Sequence, residues 1–392
     1  MYSKYEPEWM KITYPIKWSS AEGPFVWDNK GNQYIDFTSG IFVTNTGHSN
    51  PYIAQTIDAQ MNCCKLMYSF GYPTDIREAF IDKLGSMIQP HLNQIALFST
   101  GSEVTDKAIQ IARKHTGKQE IAHIKECFHG NTAELNRIYK EGKYSLSFPI
   151  DLPVRFPERD FNKDVRNWNP DEIAAFILEG YQGWSAYFYQ RRYLSKLEDW
   201  CRKHNIVLIM DEIQSGFKRT GPLFCYEHYG IHPDIVCCGK GISGGLPLAA
   251  ILGRKEIMDC MNDEKFASTH SNNTLVLAGA YANICEIDKL DTEKIMELGR
   301  CMMYEVRKLK YDYPKWIKFV TPSDARGLVC GIHFNKPIYA DLVCKRAIEN
   351  GLMMIKTNKR TIKLGPPLII SEEVLKEGLE ILNRSIGEEL GN

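Results

Sequence analysis

From about Gln94 the chain alternates apolar runs of four to six residues with longer stretches in which apolar positions recur every three or four residues. The runs are Ile95–Phe98, Ile121–Ile124, Ala174–Leu178, Ile206–Met210 and Ile235–Cys238, and the helical stretches include Glu103–His115 and Leu194–His204. Runs without polar alternation are strands covered on both faces, so the pattern predicts an α/β fold whose sheet is parallel or mostly parallel. Upstream, Val26–Phe37 reads as two short strands around an Asn-Lys-Gly turn. In such sheets ligands sit beyond the carboxyl ends of the strands. The residues that close each run are therefore the candidates for chemistry.

After Phe98 comes Ser99-Thr100-Gly101-Ser102-Glu103. A small, hydroxyl-bearing turn opening a helix leaves backbone N–H groups for a phosphate; it is equally a Ser N-cap with a first-turn Glu. After Ile124, the segment Cys127-Phe128-His129-Gly130-Asn131-Thr132 brings an aromatic ring and an imidazole toward the same crevice. Glu179 ends its run and is followed by Gly180-Tyr181-Gln182-Gly183-Trp184; Asp211 ends another and leads into Glu212-Ile213-Gln214. A carboxylate at the end of an apolar strand needs a cation or strong donors. A metal is disfavoured: His228 and His232 are four apart, but Gly230 and Pro233 make a shared helix improbable. Ile235–Cys238 runs into Gly239-Lys240-Gly241. Lys240 is either a surface-turn lysine, a phosphate ligand, or, opposite Asp211, the amine that an imine-forming cofactor requires, with Asp211 for a protonated ring nitrogen.

Composition narrows the classes. The 392 residues carry 48 Lys plus Arg against 48 Asp plus Glu, a formal charge of zero that excludes attraction to nucleic acid or an anionic membrane surface. The length exceeds one core and predicts two unequal domains. No apolar stretch, Leu246–Leu252 included, approaches the ~20 residues of a membrane span. The first residues lack the apolar core of a secretory signal, and the twelve cysteines form no C-x-x-C pair, so the expectation is a cytoplasmic enzyme with reduced, buried thiols.

From about Gly23 to near the C-terminus the sequence resembles the class III pyridoxal-phosphate aminotransferases, the group containing the ornithine, acetylornithine and 4-aminobutyrate enzymes. The resemblance is carried by Asp36-Phe-Thr-Ser-Gly-Ile41, Gly47-His48-Ser-Asn-Pro51, Thr100-Gly-Ser-Glu103, Phe128-His-Gly130, Asp211-Glu-Ile-Gln-Ser-Gly-Phe217, Arg219-Thr-Gly221, Pro233-Asp-Ile-Val236, Gly239-Lys-Gly241, Gly245-Leu-Pro247 and Pro366-Pro-Leu368. It implies the PLP-dependent transferase fold type I: a large domain (46–285) with a mainly parallel seven-stranded sheet, and a small α+β domain from both chain ends (1–45 and 286–392). It implies that Lys240 holds pyridoxal 5'-phosphate covalently and carries the proton, and that Asp211 pairs with the ring nitrogen. Gln214 would donate to the ring oxygen, Phe128 stack on the ring, and Gly101 and Ser102 hold the phosphate, with His129 and Glu179 also at the cofactor. Ser268-Thr269 matches the segment whose Thr completes the phosphate site of a second subunit, which implies a homodimer with shared sites.

The departures bear on substrate. Where many relatives carry an Arg after Phe-His-Gly this chain has Asn131, and Lys363 stands where an Arg precedes Pro-Pro-Leu. Trp184 replaces the Glu that parks that Arg, and Gly180 replaces a Pro. Lysine is a point charge and not a bidentate fork. The expectation is aminotransfer between an amino donor such as glutamate or alanine and an oxo or aldehyde acceptor. One substrate would be an aliphatic amine or amino sugar held by Phe42, Tyr68, Tyr72 and Trp184. The alternatives are ordinary glutamate specificity, with Arg360 or Lys363 folded into the site, and another reaction of the same cofactor such as epimerisation or amino shift.

Overall fold

The computed structural model describes residues 5–10, 16–64, 71–148, 159–264, 266–357 and 359–391. Seven strands make the central sheet: β1 (Gln94–Phe98), β2 (Glu120–Ile124), β3 (Tyr144–Leu146), β4 (Ile173–Glu179), β5 (Val207–Asp211), β6 (Ile235–Cys238) and β7 (Ala249–Gly253). Their spatial order is β1-β7-β6-β5-β4-β2-β3. The pairs β6–β5, β5–β4, β4–β2 and β2–β3 are parallel, whereas β7 runs antiparallel to both β6 and β1. Every residue of β4, β5, β6 and β7 is buried, which is why these strands read as unbroken apolar runs. Periodicity picked out β1, β2, β4, β5 and β6 and left out β3 and β7.

Helix α1 (Gly101–Thr116) follows β1 and ends at Gly117 in the left-handed region, φ 72°. Val104, Ala108, Ile109, Ile111 and Ala112 form its buried stripe, each large side chain contributing roughly 1.5–3 kcal/mol by leaving water. Its cap is Thr100, whose hydroxyl accepts the Glu103 N–H at 3.3 Å, while the Glu103 carboxylate accepts the Ser99 N–H at 3.0 Å. The predicted Ser cap is thus a Thr in a reciprocal capping arrangement. Helix α2 (Arg191–Lys203) begins three residues before the predicted Leu194.

The N-terminal hairpin pairs Phe25–Asp28 with Gln33–Asp36. Asp28 shapes its turn by accepting the N–H groups of Lys30 at 2.8 Å and Asn32 at 2.9 Å. Gln33–Asp36 then pairs in parallel with Leu352–Met353, far along the chain. Ile35 and Phe37 share a core with buried side chains of the helices Thr292–Asp312, Pro337–Glu349 and Glu372–Leu390. An antiparallel sheet of Ile317–Thr321, Cys330–Phe334, Thr361–Leu364 and Ile355–Thr357 lies in that half. Most described cysteines are free and buried, but Cys63 is exposed, against the expectation for thiols. Among the described residues, no helix is long and apolar enough to cross a membrane, and no group of His, Cys, Asp or Glu forms a metal cluster.

Candidate active site

The sheet brings three candidates together by register alone. Asp211 at the end of β5 lies opposite Glu179 at the end of β4 and opposite Cys237 of β6. Lys240 follows β6 two residues after its last strand position, at a φ of 45°. Beyond these ends opens a cavity of about 430 Å³, within the range of small-molecule sites. Gly101, Ser102, Phe128, His129 and Glu179 line it, as do Trp184, Asp211, Gln214, Lys240 and Lys363.

Asp211 is buried and fixed on both oxygens. One accepts the Ile213 N–H at 3.1 Å; the other lies 2.7 Å from His129 Nδ1. His129 is buried in turn, stacked on Tyr139 at 6.3 Å between ring centroids, and its Nε2 has no partner among the described residues. The Tyr139 hydroxyl meets the His129 N–H. This imidazole is the partner that sequence reasoning did not find for Asp211, because 82 residues separate the two. Glu179 accepts the N–H groups of Phe128 at 3.0 Å and Gly183 at 3.1 Å. Burial, with the Asp211 charge beside it, pushes the Glu179 carboxyl above the usual carboxylate range. Lys240 has no hydrogen-bond partner among the described residues, and burial lowers its amine below the ordinary lysine value against the opposing pull of Asp211 and Glu179.

Lys363 is 2 % exposed, on the strand Thr361–Leu364. Its Nζ donates to Gly183 O at 2.9 Å and Gln214 Oε1 at 2.8 Å, and lies 4.8 Å from the centre of the Phe42 ring. Burial first, then the charge of Lys240, lowers it to about 7. Arg360, the other cation considered for the site, does not line the cavity.

Several predicted substrate residues lie elsewhere. Phe42 is buried, because Ser39, Gly40, Ile41 and Phe42 all have positive φ and the turn points Ile41 outward and Phe42 inward. The ring packs against Gly365, where a Cβ would collide with it, and beneath the Arg219 guanidinium at 4.8 Å. Tyr72 is 76 % exposed and off the cavity wall. Asn131 is exposed and bonds through its backbone, its N–H donating to Ser102 Oγ at 3.3 Å and its carbonyl accepting from Asn136 Nδ2 at 3.2 Å. Thr269 is exposed and outside the cavity of its own chain, and Tyr68 lies outside the described residues. The wall instead includes Ile41, Thr100, Ile213, Ile355 and Thr357, none of which sequence reasoning selected. Ile41, Thr100 and Ile213 lie within recognised motifs but were given no role of their own; Ile355 and Thr357 arrive on a C-terminal strand with no motif.

An amine and a fixed carboxylate at the carboxyl edge of a mainly parallel seven-stranded sheet, with a helix N-terminus alongside, define an α/β transferase of fold type I. The chain belongs to the class-III aminotransferase family, whose model matches residues 7–386, and it is an aminotransferase. That family is dependent on pyridoxal phosphate. The chain is 31% identical to a 4-aminobutyrate aminotransferase of Mycobacterium leprae, over 97% of this chain and 93% of the relative. It is 31% identical to a 2-aminoadipate transaminase of Pseudomonas putida, over 96% and 97%. The crystal structure of acetylornithine aminotransferase from Elizabethkingia anophelis superposes with a TM-score of 0.83 at 29% identity, covering 98% of this chain and 97% of that one.

Proposed function

We propose that this chain is a pyridoxal-phosphate aminotransferase that transfers an amino group from a donor such as glutamate or alanine to an oxo or aldehyde acceptor in two half-reactions. One substrate is an amine or amino sugar lacking the usual carboxylate anchors. The observation that carries the reading is Lys240: a partnerless amine with lowered pKa, in a cavity that also holds the clamped carboxylate of Asp211.

The residues fit the cofactor. Thr100, Gly101 and Ser102 open a 16-residue helix, so free N–H groups and the positive end of the helix dipole are available to a phosphate. The turn at Gly130 comes so close that a Cβ there would collide with Ser102. When bound, pyridoxal phosphate supplies an electron sink for the bonds of the amine-bearing carbon. Lys240 serves as covalent anchor and afterwards moves a proton to and from that carbon. Asp211, held in place by His129 and the Ile213 N–H, pairs with the ring N–H and keeps it protonated. Gln214 donates from Nε2 to the ring oxygen, and Phe128 covers one ring face. Thr269 of a second copy completes the phosphate site, making the working unit a homodimer; residues 1–45 and 286–392 form one small domain beside 46–285.

The substrate reading rests on what faces the cavity. Among the described residues no arginine lines it, and Lys363 already donates to two oxygens of the protein. Ile41, Phe128 and Trp184 are each about half exposed at the mouth, an apolar surface suited to the body of an amine. The test mixes the cofactor-loaded enzyme with a panel of amines and amino acids and follows the visible absorption of the cofactor. Conversion to the pyridoxamine form by an amine that no amino acid matches is expected on one side of the reaction; bleaching by none of them sinks the reading. Lys240→Ala checks the anchor separately, since borohydride reduction should leave a cofactor-sized mass increase on the wild-type chain and none on the variant.

A further inference from the structure

We infer that Lys363 is a positioning residue: it holds the side-chain amide of Gln214 in one of its two orientations, so that the NH2 group and not the oxygen faces the cavity. The inference rests on the cofactor reading above.

A glutamine amide can rotate by half a turn at little intrinsic cost, and its two ends have opposite hydrogen-bonding character. At Gln214 the choice is made by a neighbour. Lys363 Nζ donates to Oε1 at 2.8 Å and to Gly183 O at 2.9 Å. A charged ammonium offers only donors, so the amide oxygen must face it; a neutral amine still has two hydrogens for these same two oxygens. Gln214 Nε2 has no protein partner among the described residues and is left to donate into the cavity it lines. Gly183 completes the clamp, because a Cβ there would collide with Gln214 Oε1. On the far side the Phe42 ring, 4.8 Å from Nζ, backs the lysine. With its hydrogens engaged in this way, Lys363 fixes a group that touches the cofactor and does not grip a substrate carboxylate.

Without Lys363 the amide is free to present its oxygen to the electron-rich ring oxygen, which repels it. The experiment compares wild type, Lys363→Met, Gln214→Ala and the double variant in two readouts: affinity of the apoprotein for pyridoxal phosphate, and the absorption maximum of the bound cofactor. Each single variant is expected to weaken binding about tenfold and to displace the maximum in the same direction, as for a charge-assisted hydrogen bond, and the double variant to be no worse than Gln214→Ala. Additive losses, about a hundredfold together, would overturn the inference. So would a Lys363→Met enzyme with unchanged spectrum and affinity whose only defect is a raised KM for a carboxylate-bearing donor. Should Lys363→Met fail to fold, Gly183→Ala displaces the amide oxygen with the lysine still present; the same spectral displacement is expected, and its absence counts against the clamp. If wild type itself does not bind pyridoxal phosphate the functional reading falls first, an outcome distinct from additivity among variants of a binding enzyme.

Discussion

A buried lysine whose hydrogens go to two fixed oxygens leaves a mark on stability as well as on binding. Lys363 titrates near 10.5 when free and near 7 in the fold. Between those values the unfolded chain binds the proton and the native chain does not, so this residue's contribution becomes more favourable as pH rises from 7 toward 10.5. The unfolding free energy of cofactor-free wild type, minus that of Lys363→Met, should therefore be larger at pH 9 than at pH 7 in urea titrations. A difference that stays constant would show an ordinary ammonium. The residue scale is also where sequence reading was least complete. Lys240, Asp211, Glu179 and Gln214 were legible because each ends an apolar run or follows one within a few positions. Phe42 was misplaced because four consecutive positive φ values invert which side chain faces in, and no hydropathy pattern encodes that. The bond between His129 and Asp211 was invisible for a different reason: it joins the loop after β2 to the end of β5, two segments far apart in the chain.

At the scale of elements, the turn after β2 and the start of α1 interlock. Gly130 sits at φ +123°, and a Cβ there would strike Ser102 as well as adopting a conformation that side chains rarely tolerate. Gly130→Ala should destabilise the apoprotein by about 1–3 kcal/mol in urea unfolding and weaken inorganic phosphate or cofactor binding, because the cradle at Gly101 and Ser102 must shift. A loss below about 0.5 kcal/mol would mean that the turn relaxes without strain. Most strands were readable because burial on both faces writes them as short apolar runs. β3 and β7 were not: β3 is three residues with a serine at its centre, and β7 lies in the apolar stretch Leu246–Leu252, whose pairing and direction are fixed by the partner edge and not by composition. The hairpin at Phe25–Asp36 was readable for the opposite reason: its turn is local, built by Asp28 and the residues just after it.

Across the whole molecule one guanidinium bridges segments from both ends of the chain. Arg219 is completely buried and donates to Leu328 O, Pro366 O, Ser39 Oγ and Asn45 Oδ1. Burial lowers it to about 9, with Tyr181 and Asp36 easing the penalty. Its partners come from the N-terminal segment and from the C-terminal half, so Arg219→Ala leaves two carbonyls and two side-chain oxygens without their donor. A loss of about 3 kcal/mol or more is expected, together with faster proteolytic cleavage around Asn45; cleavage at the wild-type rate would show that other contacts hold the segment. Sequence reading listed Arg219 within a motif and could not assign it this role, which exists only once both chain ends return to the same place.

The reversed direction of β7 bears on how the site is assembled. Because β7 pairs antiparallel with β6, Cys238 opposite Ala250, the chain leaves and re-enters the sheet at one edge, and the ten residues 239–248 that include Lys240 never cross to the other. The parallel pairs of the central sheet need crossover connections, and β1 meets β7 only from far along the chain. This loop is closed by near neighbours, at a small entropic cost. The amine is therefore carried by the most local stretch of an otherwise non-local sheet, anchored in a strand at each end before any ligand arrives.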